Sequence, residues 1–471
     1  MASKKKLYQP SSASLTVNSQ RTKRKVRKES CEPRHIERRV RQLLADKING
    51  NLIGLWLLIP EHLRLGTWDL LKGWSPRMPT DLPARLALQL IHESALCLNG
   101  VRDQRTISQR GFELLNGLPF VATDTAIHRL LDAHTVEQTQ RLQVALGKVR
   151  STLGHFPARL LALDPHRLHS TTQRQMLRLR KDRLQPPGKM AQTFFCLDAE
   201  SSQPLCFTSA SSARSVSVAT PELLRMTQEI LQPLLSKPLV MADCEHHTVD
   251  LLSSVAQAGV FDLCVPMPMH EATIRSLHAL APDRFQPRWP GYATLKQPFQ
   301  FRSTPAPEIL QFVQRTGERP DQWQFKPFLC TADRDELQTL TQDYPQRWHI
   351  ESFFDNEQDL GWNRAGTLNL NIRYGRMTLA LFAQAASHML RQRLPPPFAQ
   401  WDAPHLAKDF FRAIEGDIRV HDDTVCVTLY NCPQSQTFKQ HYANLPAKLT
   451  AEGVCPTVPW LYNFKLDFRF K

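Results

Sequence analysis

The chain has 471 residues, of which 42% are hydrophobic, and a formal net charge of +15 at pH 7. This length exceeds what one compact core accommodates, so two to four domains are expected. The 10 cysteines form no CxxC pair, which argues against a disulfide framework or a zinc knuckle. The apolar run at 52–59 is far shorter than the roughly 20 residues that cross a bilayer. No apolar core precedes it, so we expect no signal peptide, no membrane association and a soluble, cytoplasmic protein.

The positive charge is concentrated in two segments. Residues 1–50 contain 14 Lys or Arg and 4 Asp or Glu, a balance of +10, and residues 174–189 contain 6 basic residues and one acidic residue, a balance of +5. Together these segments account for the whole net charge. A polyanion such as nucleic acid is therefore the expected partner, gripped through its phosphate backbone at two places.

The N-terminal third contains a basic arm followed by helices. Residues 1–28 lack apolar periodicity, which predicts a disordered arm that either binds DNA or is simply solvated. From 29 to 157, Leu, Ile and Ala recur three and four residues apart, which predicts a helical domain, and we expect this domain to bind DNA. Residues 111–131 resemble a helix-turn-helix with too long a connection, so a plain bundle is favoured, with Thr123 or Asp124 as one N-cap.

Between 158 and 395, short apolar runs alternate with helical stretches, which predicts an α/β domain built on a mixed sheet. Three strands in a meander should be followed by strands that helices connect. The expected elements are a strand at 159–164, a hairpin of 191–199 and 204–210, a helix at 220–235, and strands at 238–243 and 260–268.

The rest of the chain predicts an insertion and a separate C-terminal module. Residues 282–321 show little periodicity and are interpreted as an insertion within the α/β domain. Residues 396–471 should form a small α+β module. The further expected elements are a strand at 324–333, helices at 335–359 and 377–394, a hairpin of 417–420 and 424–430, and a strand at 464–470.

Two acidic residues, Asp164 and Asp243, each end an apolar run typical of a buried strand. If the two strands are adjacent and parallel, both carboxylates project into one crevice. Two carboxylates at such a short distance repel one another unless a divalent cation offsets their negative charge. Hard oxygen ligands suit Mg²⁺ or Mn²⁺. We interpret Glu245 and His246, just after Asp243, as residues at the start of a helix, where an acid is favourable.

A third acidic residue lies in a helical motif. The spacings from Tyr344 to Arg347, Glu351 and Gln358 are three, four and seven residues, which puts all four side chains on one helix face. The pattern resembles that of DDE-type insertion-sequence transposases, in which Tyr, Arg, Glu and Lys follow one another with gaps of two, three and six residues. Gln358 stands where that family usually has Lys. The contexts LALDPHRL and VMADCEHHT also resemble those of the family's two catalytic aspartates.

The resemblance implies a ribonuclease H-like catalytic domain between an all-helical N-terminal domain and the C-terminal α+β module. It implies that Asp164, Asp243 and Glu351 hold two Mg²⁺ or Mn²⁺ ions and catalyse DNA cleavage and strand transfer. Double-stranded DNA, as transposon ends and target, and a homodimer on paired ends are the implied partners. Arg347 would contact a phosphate, Tyr344 would position DNA or Arg347, and Gln358 could still donate to a phosphate. The basic run near Asp164 is either a clamp on flanking DNA, which we favour, or a solvated loop; its residues are Arg174, Arg178, Arg180, Lys181 and Arg183.

Two alternatives remain open at the level of sequence. One is a metal-dependent nuclease of the same fold that cuts DNA without transposing. The other is a transposase-derived DNA-binding protein without catalysis, for which the missing Lys would be an early sign of decay, although the intact acidic triad counts against it. Short inverted repeats around the coding region and a target duplication would favour the transposase over both.

Overall fold

The computed structural model gives a mixed α/β protein in which two sheets are surrounded by helices. Within its described part, no helix is both long enough and apolar enough to span a bilayer. The N-terminal arm at 1–28 lies outside the described residues. Those residues are 33–50, 52–75, 80–98, 107, 109–179, 186–211, 213–233, 236–301, 309–364, 367 and 369–471.

The N-terminal part is mainly helical, as its periodicity predicts. Thr123 caps a helix there, since its Oγ1 accepts a hydrogen bond from the N–H of Ala126 at 3.3 Å. A long connection between the fifth and sixth helices makes this a bundle and not a compact helix-turn-helix. The helices are α1 (Pro33–Ala45), α2 (Ile59–Arg64), α3 (Thr67–Trp74), α4 (Leu82–Ala95), α5 (Arg110–Leu115), α6 (Asp124–Asp132) and α7 (Val136–Thr152).

A ten-stranded sheet forms the centre of the molecule. Its first half contains the strands β2 (Leu160–His169), β3 (Arg178–Leu179), β4 (Gly188–Asp198), β5 (Gln203–Ser211), β6 (Leu239–Ala242) and β7 (Asp262–Pro266). Their order across the sheet is β5-β4-β2-β6-β7, with β3 on the beginning of β4. The strands β2, β6 and β7 run parallel, and helices α8 (Val216–Leu231) and α9 (Val249–Ala258) connect them.

This half of the sheet confirms the predicted meander followed by helix-connected strands. The hairpin β4–β5 has the predicted position, and α8 begins four residues earlier than expected. The strands β6 and β7 and the first four residues of β2 are almost wholly buried, because the sheet is covered on both faces there. A continuous apolar run such as 239–242 is typical of that environment.

The expectation of an irregular insertion at 282–321 is wrong in its detail. After the helix α10 (Glu271–His278), this segment contributes three antiparallel strands that extend the same sheet. Alternation is weak there because Pro and paired polar residues interrupt it, so the periodicity did not reveal the strands. They are β8 (Gln286–Trp289), β9 (Tyr292–Phe299) and β10 (Ile309–Thr316), which continue through β11 (Gln324–Cys330) to β7.

The C-terminal part contains a second sheet, which also includes one strand from the N-terminal part. The strand β1 (Ile48–Gly50) pairs with β12 (Gly416–His421), so the N-terminal part is not all-helical as expected. A three-residue strand is too short for its alternation to be read from the sequence. The remaining strands are β13 (Thr424–Leu429), β14 (Thr457–Val458) and β15 (Phe464–Phe470), in the order β1-β12-β13-β15-β14, with the short helices α15 (Ser435–Tyr442) and α16 (Leu445–Ala451) beside them.

The helical segment at 336–360 is continuous but changes its winding. A short α-helical turn α11 (Glu336–Gln338) leads into a π-helical turn at Thr339–Asp343 and a 3₁₀ turn at Tyr344–Trp348, before α12 (His349–Glu357) begins. Pro345 has no N–H to donate, which accounts for the break from regular α-helix. The single long helix expected at 335–359 is therefore correct in position and wrong in regularity.

One apolar core joins the N-terminal helices, the central sheet and the C-terminal sheet. At the centre of this core is the helix α13 (Leu370–Arg391), which packs against α4, α6, α7 and β5. The helix begins seven residues earlier than expected. The short helix α14 (Ala403–His405) follows α13 in the chain. The helical bundle and the C-terminal part thus pack on the same face of the central sheet, while α8 and α9 cover the other face.

A buried charge also ties α2 to the C-terminal part. The fully buried Glu61 accepts a hydrogen bond from Tyr442 Oη at 2.9 Å and lies 3.1 Å from both Arg64 and Arg393. Burial raises its pKa, and the two arginines oppose that rise. The carboxylate is therefore held by three partners from different parts of the chain.

We predict that Glu61→Ala lowers the free energy of unfolding by about 3–5 kcal/mol, because Arg393 and Tyr442 lose this buried acceptor, while Arg64 keeps only its pair with Glu452. Glu61→Gln should cost less, since the amide oxygen still accepts from Tyr442. Urea unfolding followed by circular dichroism measures both. The control is Glu229→Ala, which breaks an exposed pair with Arg225 and should change stability by less than about 0.5 kcal/mol. Equal losses from Glu61→Ala and the control would contradict the account.

Candidate active site

The register of two parallel strands brings Asp164 and Asp243 side by side. Leu163 of β2 is paired with Ala242 of β6, so the next residue on each strand is an aspartate. Asp243 ends β6, and its Oδ1 caps the 3₁₀ turn at Cys244–His246 by accepting from the N–H of Glu245 at 3.1 Å. The two carboxylates therefore lie side by side where the parallel pairing ends, as the sequence predicts. The strand β2 continues to His169, however, so the prediction that Asp164 ends its strand is wrong.

Tyr344 attaches the helical segment that carries Glu351 to this edge of the sheet. Its Oη donates to the carbonyl oxygen of Ala242 at 3.0 Å, next to Asp243. Its ring packs edge-on against Phe328 of β11 at 4.7 Å between centroids. Two strands thus fix the start of the 3₁₀ turn, and this turn presents Arg347 to the site.

Arg347 bridges two of the three carboxylates. Its Nη1 lies 3.4 Å from Asp164 Oδ1, and its Nη2 donates to Glu351 Oε1 at 2.9 Å. The predicted spacing of four residues between Arg347 and Glu351 therefore does put them on one face. Asp164, Asp243 and Glu351 lie in one neighbourhood with a single guanidinium between Asp164 and Glu351.

The electrostatics of the two aspartates differ. Burial, together with the negative charges of Asp243 and Glu351, raises the pKa of Asp164 to about 8 against the opposing effect of Arg347. Burial also acts to raise the pKa of Asp243, but the hydrogen bond from His246 and the charge of Arg347 outweigh it and leave that pKa lowered. These surroundings therefore favour the anion of Asp243 and disfavour the anion of Asp164.

Sequence reasoning missed two residues that support the site. Nδ1 of the buried His246 lies 2.8 Å from Asp243 Oδ1, and the carboxylate is an acceptor, so this nitrogen carries the proton. Arg167, three residues beyond Asp164, forms a two-pronged ion pair with Glu245, with 2.7 Å between Nη1 and Oε1. The start of a turn after β6 was expected for Glu245 and His246, but their contacts could not be read from spacing.

The remaining predicted DNA-binding residues are less closely joined to the carboxylates. Gln358 begins a 3₁₀ turn seven residues after Glu351, about two helical turns or roughly 10 Å further along. Arg174 and Arg178 are exposed beyond the end of β2. Lys189 donates instead to the carbonyls of Thr172 and Arg174, at 2.9 and 2.7 Å, so its charge is used within the loop. Arg180, Lys181 and Arg183 lie outside the described residues.

The donor set fits a hard divalent cation in kind. Three carboxylates supply only oxygen, and such a cation would compensate the repulsion that adds to burial in raising the pKa of Asp164. Within the described residues, no group of three or more His, Cys, Asp or Glu side chains is arranged to hold a metal ion. Arg347, between Asp164 and Glu351, occupies the position of the compensating charge.

We predict that Asp164→Asn stabilises the metal-free protein at high pH. The folded pKa of about 8 lies above the ordinary value of 3.8, so the stability from this group is complete below about pH 4 and is lost as the pH rises through 8. Asparagine stays neutral and avoids the loss. Melting in EDTA should give similar midpoints for wild type and variant near pH 5 and a higher midpoint for the variant near pH 9. The same midpoint difference at both pH values would count against a buried, proton-holding Asp164.

Comparison with solved structures shows a distant structural likeness. No family model and no curated protein matches the chain. A cryo-EM structure of the piggyBac transposase synaptic complex with hairpin DNA is similar at a TM-score of 0.39 and 10% sequence identity, over 78% of this chain and 82% of that chain. A likeness of this size supports no conclusion about function, which has to come from the site itself.

Proposed function

We propose that the chain is a DDE-type transposase that cuts and joins DNA strands with Asp164, Asp243 and Glu351. The observation that carries the proposal is that Asp164 and Asp243 are neighbours on two parallel strands and that Arg347 pairs Asp164 with Glu351 of the helical segment. Three acidic side chains in one half-buried place cost stability, which an ordinary structural role does not require.

The sheet supports a ribonuclease H-like catalytic domain. Three consecutive antiparallel strands are followed by two parallel strands reached through helices, in the order β5-β4-β2-β6-β7. The first aspartate lies on the central strand of this order, and the second lies at the end of its parallel neighbour. That arrangement is the one the resemblance implies for such a domain.

Each of the site's residues has a task in phosphodiester chemistry. Two Mg²⁺ or Mn²⁺ ions held by the three carboxylates would activate water or a 3′-OH and stabilise the leaving oxygen in an in-line displacement. Asp243 is held as an anion by His246, and Tyr344 fixes the turn that carries Arg347. The planar guanidinium of Arg347 suits a phosphate oxygen pair.

An exposed basic face on α1 lies within the N-terminal part that is expected to bind DNA. Helix α1 buries Ile36, Val40 and Leu44, while Arg34, Arg38 and Arg39 are exposed and form no ion pair within the described residues. It directly follows the basic arm. We include this face in the DNA-binding surface, together with the exposed Arg174 and Arg178 and the arginines and lysine at 180–183.

The proposed working unit is a dimer on paired DNA ends. Each end needs its own set of three carboxylates, and strand transfer needs both ends together. Mixing tagged and untagged protein on end DNA tests this: recovery of both forms on one DNA complex supports a dimer, and recovery of one form alone contradicts it.

We predict that Asp164→Asn, Asp243→Asn and Glu351→Gln each reduce Mg²⁺-dependent DNA cleavage by at least about 10³-fold and leave DNA affinity within about threefold, because only the metal ligands are changed. Nicking of end-containing DNA and gel-shift binding measure the two effects. The matched control is Asp250→Asn, an exposed acid on α9, which should cleave as wild type does. Undiminished cleavage by any one of the three variants would remove that residue from the site.

A second assay separates transposition from simple cutting. With a pre-cut end that carries a free 3′-OH, a transposase joins this end to a target duplex, whereas a nuclease yields only hydrolysed products. A protein without catalysis binds the end and does neither.

We predict that the triple variant Arg34→Gln, Arg38→Gln and Arg39→Gln weakens DNA binding and lowers its dependence on salt. Each lost phosphate contact should reduce the slope of log K against log salt by about 0.9, so three contacts reduce it by up to about 3. The matched control replaces Arg141 and Arg225 by Gln, since both are exposed on helices but neutralised by Glu137 and Glu229. An unchanged slope in the triple variant would exclude α1 from the DNA surface.

A further inference from the structure

The guanidinium of Arg347 pairs with two of the three carboxylates that are proposed to hold metal. The guanidinium of Arg347 touches Asp164 and Glu351 at the same time, with separations of 3.4 and 2.9 Å. The side chains of Arg347 and Asp164 are only 14% and 19% exposed, so water screens their attraction poorly. A metal ion bound to the same oxygens would stand next to this positive charge.

Arg167 is a second arginine near Asp164, but it does not bridge two of the three carboxylates. Arg167 also lies close to Asp164, but both prongs of its guanidinium are engaged by Glu245. Its charge is therefore neutralised outside the cluster of three carboxylates. Arg347 is the cation that directly pairs two members of this cluster.

We propose that Arg347 is an internal counter-cation that closes the metal site until a DNA phosphate withdraws it. This inference rests on the proposed function, because it assumes that the carboxylates hold metal and that the substrate is DNA. A phosphate matches the two-pronged guanidinium as well as a carboxylate does. When Arg347 turns to DNA, Asp164 and Glu351 lose their cation and are free for metal.

The local backbone is compatible with a change in the direction of the Arg347 side chain. Arg347 belongs to the 3₁₀ segment between a π-helical turn and α12, and short 3₁₀ stretches within helices often mark hinges. The neighbouring Trp348 is 61% exposed, so this segment borders solvent on one side. Tyr344 anchors the beginning of the segment to β6, and Arg347 lies three residues further along it.

The consequence is a coupling between DNA and metal. If DNA frees the carboxylates, DNA raises the affinity for metal, and metal must raise the affinity for DNA by the same factor. The coupling passes through one side chain, so its removal should abolish the coupling. It should also increase metal affinity in the absence of DNA, although the variant has lost a DNA contact.

The test measures Mn²⁺ binding to the full chain without DNA, from the electron paramagnetic resonance signal of free Mn²⁺. Arg347→Gln should bind Mn²⁺ about fivefold or more tightly than wild type, and Arg347→Lys, which keeps a cation, should fall nearer to wild type. Arg167→Gln is the matched control for a general loss of positive charge and should gain less. A gain from Arg167→Gln equal to that from Arg347→Gln, or no gain from Arg347→Gln, would overturn the proposal.

A second arm adds a saturating random-sequence duplex of about 40 base pairs, long enough to cover several helical turns. The duplex should raise the Mn²⁺ affinity of wild type and leave that of Arg347→Gln unchanged. An equal rise in both would show that DNA acts without Arg347. Circular dichroism and melting of each variant establish that it is folded.

Adding Asp164→Asn to each protein separates the two levels of the account. If Mn²⁺ binding does not depend on Asp164 in any background, the proposed function loses its metal site. If binding depends on Asp164 but Arg347→Gln does not strengthen it, the metal site stands and only the counter-cation role fails.

Discussion

The pairing of β2 with β6 is the constraint on which the site depends. Parallel strands in register carry consecutive residues side by side, so the pair Leu163–Ala242 obliges Asp164 and Asp243 to be neighbours. Two carboxylates held that way repel one another, and the surrounding protein answers with His246 on one and Arg347 on the other. These two side chains offset the repulsion only in part. The proposed chemistry depends on metal ions that would offset the rest.

The remaining architecture keeps this edge rigid. The helix α13 and the apolar core that surrounds it join the N-terminal helices, the central sheet and the C-terminal sheet, and β1 crosses from the N-terminal part to pair with β12. The buried Glu61 adds a polar tie between the same parts. The N-terminal helices, the central sheet and the C-terminal sheet thus share packing across the described chain.

The sequence was sufficient for the features that repeat locally. Apolar runs located β2, β6 and β7, and the spacing of Arg347 and Glu351 predicted their common face. Three features depend on distant partners and were not predictable: the strands β8 to β10, which pair with one another where alternation is weak, the edge strand β1, and the ion pair of Arg167 with Glu245. The winding change at Tyr344–Trp348 has a local cause in Pro345, but its effect on Arg347 depends on where Asp164 lies.

Metal-directed cleavage of the polypeptide tests the central claim most directly. Fe²⁺ with ascorbate and peroxide, in place of Mg²⁺, generates hydroxyl radicals that cut the backbone beside a bound metal, and mass spectrometry locates the cuts. The account predicts cuts near Asp164, Asp243 and Glu351 together, competed by excess Mg²⁺ and lost in Asp164→Asn. Cuts confined to other parts of the chain, or cuts that the Asp164→Asn variant retains, would contradict it.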